Sequence, residues 1–469
     1  MATDARGAAL YRTIWRWHFW AGLIVAPFLL VLSATGAIYL FNDELNDTIY
    51  PELRFVPAST ARAPVSVMIR AALRAHPGAV SRVDLPAEAG RSAVVFVRPH
   101  AGEPLRVHVD PATAHVLGSL VYERTLVGFA DEMHGSLMVG TMGDRVVELA
   151  ACWALVLIAT GLFLWWPRGR WRGAGVLWPR LGGRGRRFWR DFHGPVGVWT
   201  AALIAFLIVT GLPWAGVQGR VLQAASAAAG WGYPASFRTH NTPASIPMKA
   251  ALGETPWTLE TAPMPQSQVG ADVSAQRGVA SEHGGHSGHE APAPTDDAAA
   301  IAGVDRVTTL LSRAGLAGGY RLFLPDGAAG VYTACTYPDR PEGQRTIWID
   351  RYSFRRIGPE VRFADYGWVG RATELGVQIH MGNYFGRANQ IMMLVPCIGI
   401  WLLVVSGVLM WWKRRPSGRI GAPPALSGAR VGGLLATLVV AGVALPLFGA
   451  SLLALAVADL LFTRMKPIA

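Results

Sequence analysis

The chain has 469 residues, 51% of them hydrophobic and 16% charged, with a formal net charge of +12. With a mean hydropathy of +0.29, this composition excludes a disordered, collagen-like or disulfide-stapled protein. Three cysteines (Cys152, Cys335, Cys397) without a CxxC spacing exclude an iron–sulfur cluster.

Five stretches free of Asp, Glu, Lys and Arg, residues 17–41, 149–167, 192–219, 388–412 and 431–458, are each about long enough to cross a bilayer. The first is too long for a signal-peptide core and no A-x-A cleavage site follows it, so it reads as a retained anchor. Basic residues cluster before it (Arg6, Arg12, Arg16), after the second stretch (Arg168, Arg170, Arg172, Arg180, Arg184, Arg186, Arg187, Arg190) and after the fourth (Lys413, Arg414, Arg415, Arg419, Arg430). By the positive-inside rule these segments are cytoplasmic, so the excess charge is a topology signal and no nucleic-acid partner is expected.

The predicted organisation follows in chain order. A cytoplasmic N-terminus (1–16) and a span (17–41) lead to a periplasmic unit (42–130), an interfacial segment (131–146) and a second span (147–167). The Arg-rich loop 168–191 and a third span (192–213) precede a second periplasmic unit (214–375), which contains a Pro/Ala/Gly-rich linker at 261–298. An interfacial segment (376–388), a fourth span (389–412) and a cytoplasmic loop (413–430) come next. The last apolar stretch, 431–462, contains Pro446 and has Arg430, Arg464 and Lys466 around it, so it reads as either a kinked helix or a hairpin.

Each unit has an α+β pattern. The first shows a helix at 65–75 and alternating strands at 82–85, 93–98 and 105–109; the second a helix at 302–313 and strands at 320–324, 331–336 and 346–349. Pro325-Asp326-Gly327 signals a hairpin turn. The interfacial run 129–139 is expected to form a helix broken at Gly140 and Gly143, with Gly382 and Gly386 acting likewise in the second half.

The chain also repeats itself. His18 precedes Thr35-Gly36 by 17 residues, as His193 precedes Thr210-Gly211. His134 precedes Thr160-Gly161 by 26 residues and Trp165-Trp166 by 31, as His380 precedes Ser406-Gly407 and Trp411-Trp412. Asp110 and Asp350 each stand eight residues before a glycine, Gly118 and Gly358. The fold class is therefore a polytopic α-helical membrane protein built from a duplicated helix–α+β unit–helix module, a four-helix core plus a C-terminal span, related by an axis along the membrane normal.

Four of the twelve histidines occupy the repeated positions. His18 and His193 fall at the cytoplasmic starts of two spans, His134 and His380 on the outer side. Equivalent imidazoles opposed across an axis suit the two axial positions of a haem iron, giving an inner and an outer haem. The Thr/Ser-Gly pairs read as small residues permitting close approach, and the Trp pairs as interfacial belt residues. Arg16 and Arg190, beside the inner histidines, are candidate propionate partners, although topology alone also accounts for them. His283, His286 and His289 form a weak metal tract in the linker, or a solvated segment of biased composition. His76, His100, His108, His115 and His240 have no repeat partners and read as surface residues; Cys152 and Cys397 read as apolar packing.

The run Trp15-Arg16-Trp17-His18-Phe19-Trp20-Ala21-Gly22-Leu23, ending in Ser33-Ala34-Thr35-Gly36, resembles the first helix of the PepSY-associated transmembrane family. Met133-His134-Gly135-Ser136-Leu137, followed by Thr160-Gly161-Leu162-Phe163-Leu164-Trp165-Trp166-Pro167-Arg168, resembles its second; Gly211-Leu212-Pro213-Trp214 and Pro446-Leu447-Phe448-Gly449-Ala450-Ser451 are similar to other stretches typical of it. The resemblance implies PepSY domains for both soluble units. It also implies two b-type haems at His18, His193, His134 and His380, and a role as an inner-membrane reductase of ferric siderophores on the periplasmic side. No G-x-G-x-x-G follows a strand, so the expected electron donor is a separate protein or a membrane quinol. Two other readings stay open: a histidine-based copper transporter, and a non-catalytic regulator whose PepSY units dock a partner.

Overall fold

A computed structural model describes residues 2–167, 173–180, 185–234, 246–267, 298–418, 421 and 432–464. Helix α1 (Ala2–Tyr39) leads through the short α2 (Asn42–Ile49) and α3 (Pro51–Arg54) to α4 (Val65–Ala75) and four strands. These are β1 (Gly78–Leu85), β2 (Ala93–Pro99), β3 (Leu105–Val109) and β4 (Val116–Leu120), after which α5 (Leu126–Ser136) and α6 (Gly140–Trp165) follow. Helix α7 (Arg186–Gly211) begins the second half, with α8 (Gln218–Ala229), α9 (Met248–Leu252) and α10 (Ala298–Arg313) after it. Strands β5 (Tyr320–Phe323), β6 (Val331–Cys335), β7 (Arg345–Asp350) and β8 (Val361–Arg362) then lead to α11 (Trp368–His380), α12 (Arg387–Trp412), α13 (Gly432–Ala444) and α14 (Pro446–Arg464).

Four helices are long and apolar enough to cross a membrane, at Gly7–Tyr39, Gly140–Trp165, Arg186–Trp214 and Arg387–Trp412. Long helices suit a bilayer because each satisfies its own backbone groups without water. They close a ring in which α1 packs on α6, α6 on α7, α7 on α12 and α12 on α1. Helices α1 and α7 are thus diagonal partners, as are α6 and α12.

The soluble parts differ from the expected two separate units. Their strands form one eight-stranded antiparallel sheet in the order β4-β3-β2-β1-β5-β6-β7-β8. The seam pairs β1 with β5, Arg82 opposite Phe323 and Leu85 opposite Tyr320. The first strand of each half would otherwise be an open edge with unpaired N–H and C=O groups, and each edge closes the other. Read outward from the seam, either half runs first, second, third, fourth strand. One face packs under α4 and α10 around Met68, Ile69, Val80, Val95, Val304, Leu322 and Tyr332. The other face brings Arg106 and Arg321 within electrostatic reach of Tyr39 at the end of α1, and in the second half it packs on Met248, Leu259, Phe363 and Tyr366. At the repeated aspartates, Asp110 accepts from the Ala112 N–H at 2.8 Å and Asp350 from the Ser353 N–H at 2.7 Å. Each turn ends on a left-handed residue, Ala114 or Phe354, both with φ of 58°.

One local expectation changes in part, one holds, and the C-terminal alternative resolves to a hairpin. The break before the second spanning helix runs from Leu137 to Gly140, with Leu137, Met138 and the expected Gly140 all at positive φ, whereas Gly143 lies inside α6, which starts well before residue 147. The second break does fall around Gly382 and Gly386, with φ of 83° and 60°. The C-terminal apolar stretch is two helices folded back at Leu445, so close that a Cβ on Gly449 would stand 2.5 Å from the Gly442 carbonyl oxygen. Pro446, which cannot donate to the turn before it, sets the hinge. Phe448 is fully buried beside Trp153, whose indole N–H donates to Ser451 Oγ at 3.2 Å, so the hairpin is anchored on α6.

Candidate functional site

The bundle brings the four repeated histidines together in two pairs. His18 on α1 and His193 on the diagonal α7 have ring centres 6.4 Å apart with perpendicular planes. At the sheet end, His134 and His380 close α5 and α11, the non-spanning helices that follow β4 and β8. They stand near enough for their charges to interact.

Each ring is held on one side by a hydroxyl. His18 Nδ1 lies 2.9 Å from Thr160 Oγ1 and His134 Nδ1 3.1 Å from Thr35 Oγ1. In the second half, His193 Nδ1 lies 2.9 Å from Ser406 Oγ and His380 Nδ1 2.9 Å from Thr210 Oγ1. A hydroxyl has one proton, and in all four cases it is given to the carbonyl one helical turn back: Val156, Val31, Leu402 and Phe206, at 2.6–2.8 Å. The hydroxyl must therefore accept, so Nδ1 carries the imidazole proton. The carbonyls of Leu157, Leu32, Leu403 and Leu207, neighbours of those hydroxyls, also lie within reach of the rings, and a carbonyl can only accept. In every ring Nε2 is left with its lone pair, the form a metal-binding imidazole takes when its other nitrogen donates.

This changes the reading of the Thr/Ser-Gly pairs from simple small-residue packing. The hydroxyl orients a histidine of another helix in the same half, never of its own. The glycine makes room for the ring: a Cβ on Gly36 would approach His134 Cε1 to 3.2 Å, and one on Gly161 would approach His18 Cε1 to 3.2 Å. At Gly211 and Gly407 the corresponding distances are 3.6 and 3.7 Å.

The inner pair fits axial ligation of a haem iron. Two metal–imidazole bonds of about 2 Å each, plus about 1 Å from nitrogen to ring centre on either side, sum to about 6 Å. The observed 6.4 Å matches that span. Among the described residues no group of three His, Cys, Asp or Glu side chains converges; each pair offers two imidazoles. The spacing of 17 residues between His18 and Thr35 sets the two levels about 25 Å apart along α1.

The other candidates are placed as follows. Arg190 already pairs with the buried Asp191 at 2.7 Å, which Arg180 also contacts at 2.7 Å, so its guanidinium is partly committed within the chain. Arg16 also has a partner within the chain. His283, His286, His289 and His240 lie outside the described residues. His108, expected at the surface, is only 5% exposed and bonds Ser92 Oγ at 3.0 Å. Burial, then the nearby Arg54 and Arg106, pulls its pKa down to about 4. Glu374, six residues before His380 on α11, was not foreseen. It is buried, accepts from Gln344 Nε2 at 3.0 Å and from Thr258, and burial raises its pKa above the usual carboxylate range.

The family model described as PepSY-associated TM region matches residues 15–414, a stretch that includes all four histidines and their four hydroxyl partners. No curated protein matches the chain.

Proposed function

Since the chain belongs to the PepSY-associated TM family, we propose that it is a two-haem electron conduit of the bacterial inner membrane. Its acceptor is ferric iron in a chelate, of the siderophore kind, on the side of the sheet. The observation that carries this reading is the fourfold hydroxyl–imidazole geometry, which readies two pairs of Nε2 atoms at two depths of one bundle. His18 and His193 would hold one b-type haem and His134 and His380 the other; when bound, these groups supply one-electron transfer. The chain's own part would be to fix four imidazoles and hold their Nδ1 protons on protein oxygens, leaving each Nε2 free to bind the group.

The basic residues Arg180, Arg186, Arg187, Arg190, Lys413, Arg414 and Arg415 flank the bundle end opposite the sheet, which supports a cytoplasmic far end and a periplasmic sheet. The outward repetition of strand order from the seam supports a duplicated module. One electron from a quinol or a separate donor protein converts Fe(III) to Fe(II), and hard oxygen donors then hold the softer ion less tightly.

The test is a spectrum of the purified full chain, oxidised and dithionite-reduced, with a pyridine haemochrome count. Two b-type haems per chain, oxidised on addition of ferric chelate, support the conduit. A haem-replete preparation without a Soret band overturns it.

A further inference from the structure

On the sheet face that Tyr39 approaches, one row of opposed residues runs Arg106, Phe96, Arg82, Phe323 across β3, β2, β1 and β5. Two arginines at the seam are matched by carboxylates. Arg82 lies 2.7 Å from Asp84 and 2.9 Å from Glu254, and Arg321 lies 2.5 Å from the same Glu254. Arg106 is different: among the described residues its side chain makes no ion pair and no hydrogen bond, with Glu254 and Asp84 only within electrostatic reach. Its guanidinium carbon sits 3.5 Å from the Tyr122 ring centre and 5.3 Å from that of Phe96. Aromatic rings that cover the face of a guanidinium leave its in-plane N–H fork available for a bidentate oxyanion. Burial lowers the pKa of Arg106, so its charge is held at a desolvation cost that a bound anion would offset.

The position of Arg106 relates it to the outer histidines. Tyr39, one helical turn beyond Thr35, is within electrostatic reach of Arg106, Arg321 and Asp131. Tyr122, under the guanidinium, donates to Asp131 at 3.1 Å, and Asp131 precedes His134 by one turn of α5. Arg106 is thus linked to the sheet-end pair through Tyr122 and Asp131, on the sheet face that Tyr39 of α1 approaches.

We propose that Arg106 receives an anionic oxygen group presented over the His134–His380 pair. That group is either a propionate of the macrocycle held there or an oxygen of the anionic ferric chelate brought for reduction. The inference rests on the two-haem reading and names the residue that meets the anion.

The test uses the full chain in detergent, with Arg106→Gln and Arg106→Lys beside the wild type. Haems per chain and the midpoint potential of the outer haem are measured, and dithionite-reduced protein is reoxidised by ferric citrate or by a neutral hydroxamate chelate. If the anion is a propionate, R106Q loses outer haem or shifts its potential, R106K partly restores it, and half-saturation by both chelates is unchanged. If the anion is substrate, R106Q raises half-saturation for ferric citrate about tenfold or more, as loss of a charge-assisted contact dictates. Haem content, potential and response to the neutral chelate then stay at wild-type values. Arg106 has neither role if R106Q matches the wild type in all four readouts. Should R106Q lose both haems through misfolding, a fully wild-type R106K overturns the proposal, because bidentate geometry is what lysine cannot supply. Absence of haem from the wild type itself would instead refute the two-haem reading, and this inference with it.

Discussion

The crossed partnership of hydroxyl and histidine makes a prediction that same-helix spacing would reverse. Thr35 lies on the helix of His18 but holds His134 at 3.1 Å, whereas Thr160 on α6 holds His18 at 2.9 Å. Replacing Thr35 with Val keeps the shape and removes the acceptor, leaving only the Leu32 carbonyl for the imidazole proton. Loss of such an orienting partner of a metal-bound histidine costs about 10- to 100-fold in affinity, or roughly 1.4–2.7 kcal/mol. With one carbonyl acceptor retained, about tenfold is expected. The less basic imidazole also stabilises the ferric state less, so the midpoint potential of that haem rises.

The assay is haem titration of the apo-protein with spectroelectrochemistry. His18→Ala and His134→Ala serve as references, each leaving one spectral species. Thr35→Val and Thr210→Val should weaken and shift the species lost in H134A; Thr160→Val and Ser406→Ala should affect the one lost in H18A. If T35V perturbs the species lost in H18A, or if no hydroxyl variant moves either, the argument from geometry to ligation is wrong.

The glycines grade the same site by space. Gly36→Ala and Gly161→Ala, whose methyl would meet a ring carbon at 3.2 Å, should lower occupancy of the outer and inner haem respectively; Gly211→Ala and Gly407→Ala, at 3.6 and 3.7 Å, should retain both. His108, ordinarily near 6.5, is depressed to about 4 in the fold. The unfolded chain thus binds more protons between those values, and stability falls as pH drops through that window by roughly 3 kcal/mol in total. Denaturation followed by tryptophan fluorescence should show that slope reduced in His108→Gln. Glu374 is raised, so its stabilising neutral form is fully present below the unfolded pKa and is lost as pH rises through the folded one. Glu374→Gln keeps the bonds from Thr258, its new amide can donate to Gln344 Oε1 once that side chain turns over, and it should flatten that loss in the same measurement. Gly449→Val should splay the C-terminal hairpin, read as lost protection of α13 and α14 in hydrogen exchange, with the haem spectrum unchanged.

The parts legible in the sequence are those governed by one-dimensional rules. A spanning helix must satisfy its backbone alone, so runs without charged residues announce spanning helices, and four of the five such runs form one each while the fifth folds into a hairpin. Equal spacings announced the four histidines. Their partners were not legible as read, because spacing along a helix ties Thr35 to His18, whereas contact is decided by height in the bundle. In antiparallel neighbours the end of α6 is level with the beginning of α1, so the 26-residue spacing held the missing signal: a hydroxyl-glycine pair at each helix end opposite a histidine. The β1–β5 seam leaves no local pattern either. Arg82, Asp84 and Arg321 look like charges that protect exposed edges, yet they form the ion-pair network between the joined halves. His108 follows the polar side of the β3 alternation and reads as exposed. Its ring bonds the Leu53 carbonyl of α3, a four-residue helix too short to be read from periodicity.

The two levels of the bundle differ in what carries their ligands. At the far end both histidines sit on spanning helices, α1 and α7, and both hydroxyls on the other two, α6 and α12, so the entire site is inside the helix ring. At the sheet end the hydroxyls of Thr35 and Thr210 are again on spanning helices, but His134 and His380 belong to α5 and α11. Those helices follow the outer strands of the sheet; α11 is further tied to the turn before β7 through Glu374 and Gln344, and to the segment after α9 through Thr258. A ligand that shifts the sheet relative to the bundle therefore acts on both imidazoles of the outer pair while their hydroxyl partners stay in place, and it leaves the inner pair untouched. The same sheet face carries Arg106. Binding on that face is thus mechanically connected to the one histidine pair whose ligands can respond to it, and the outer potential should shift on chelate binding while the inner stays fixed.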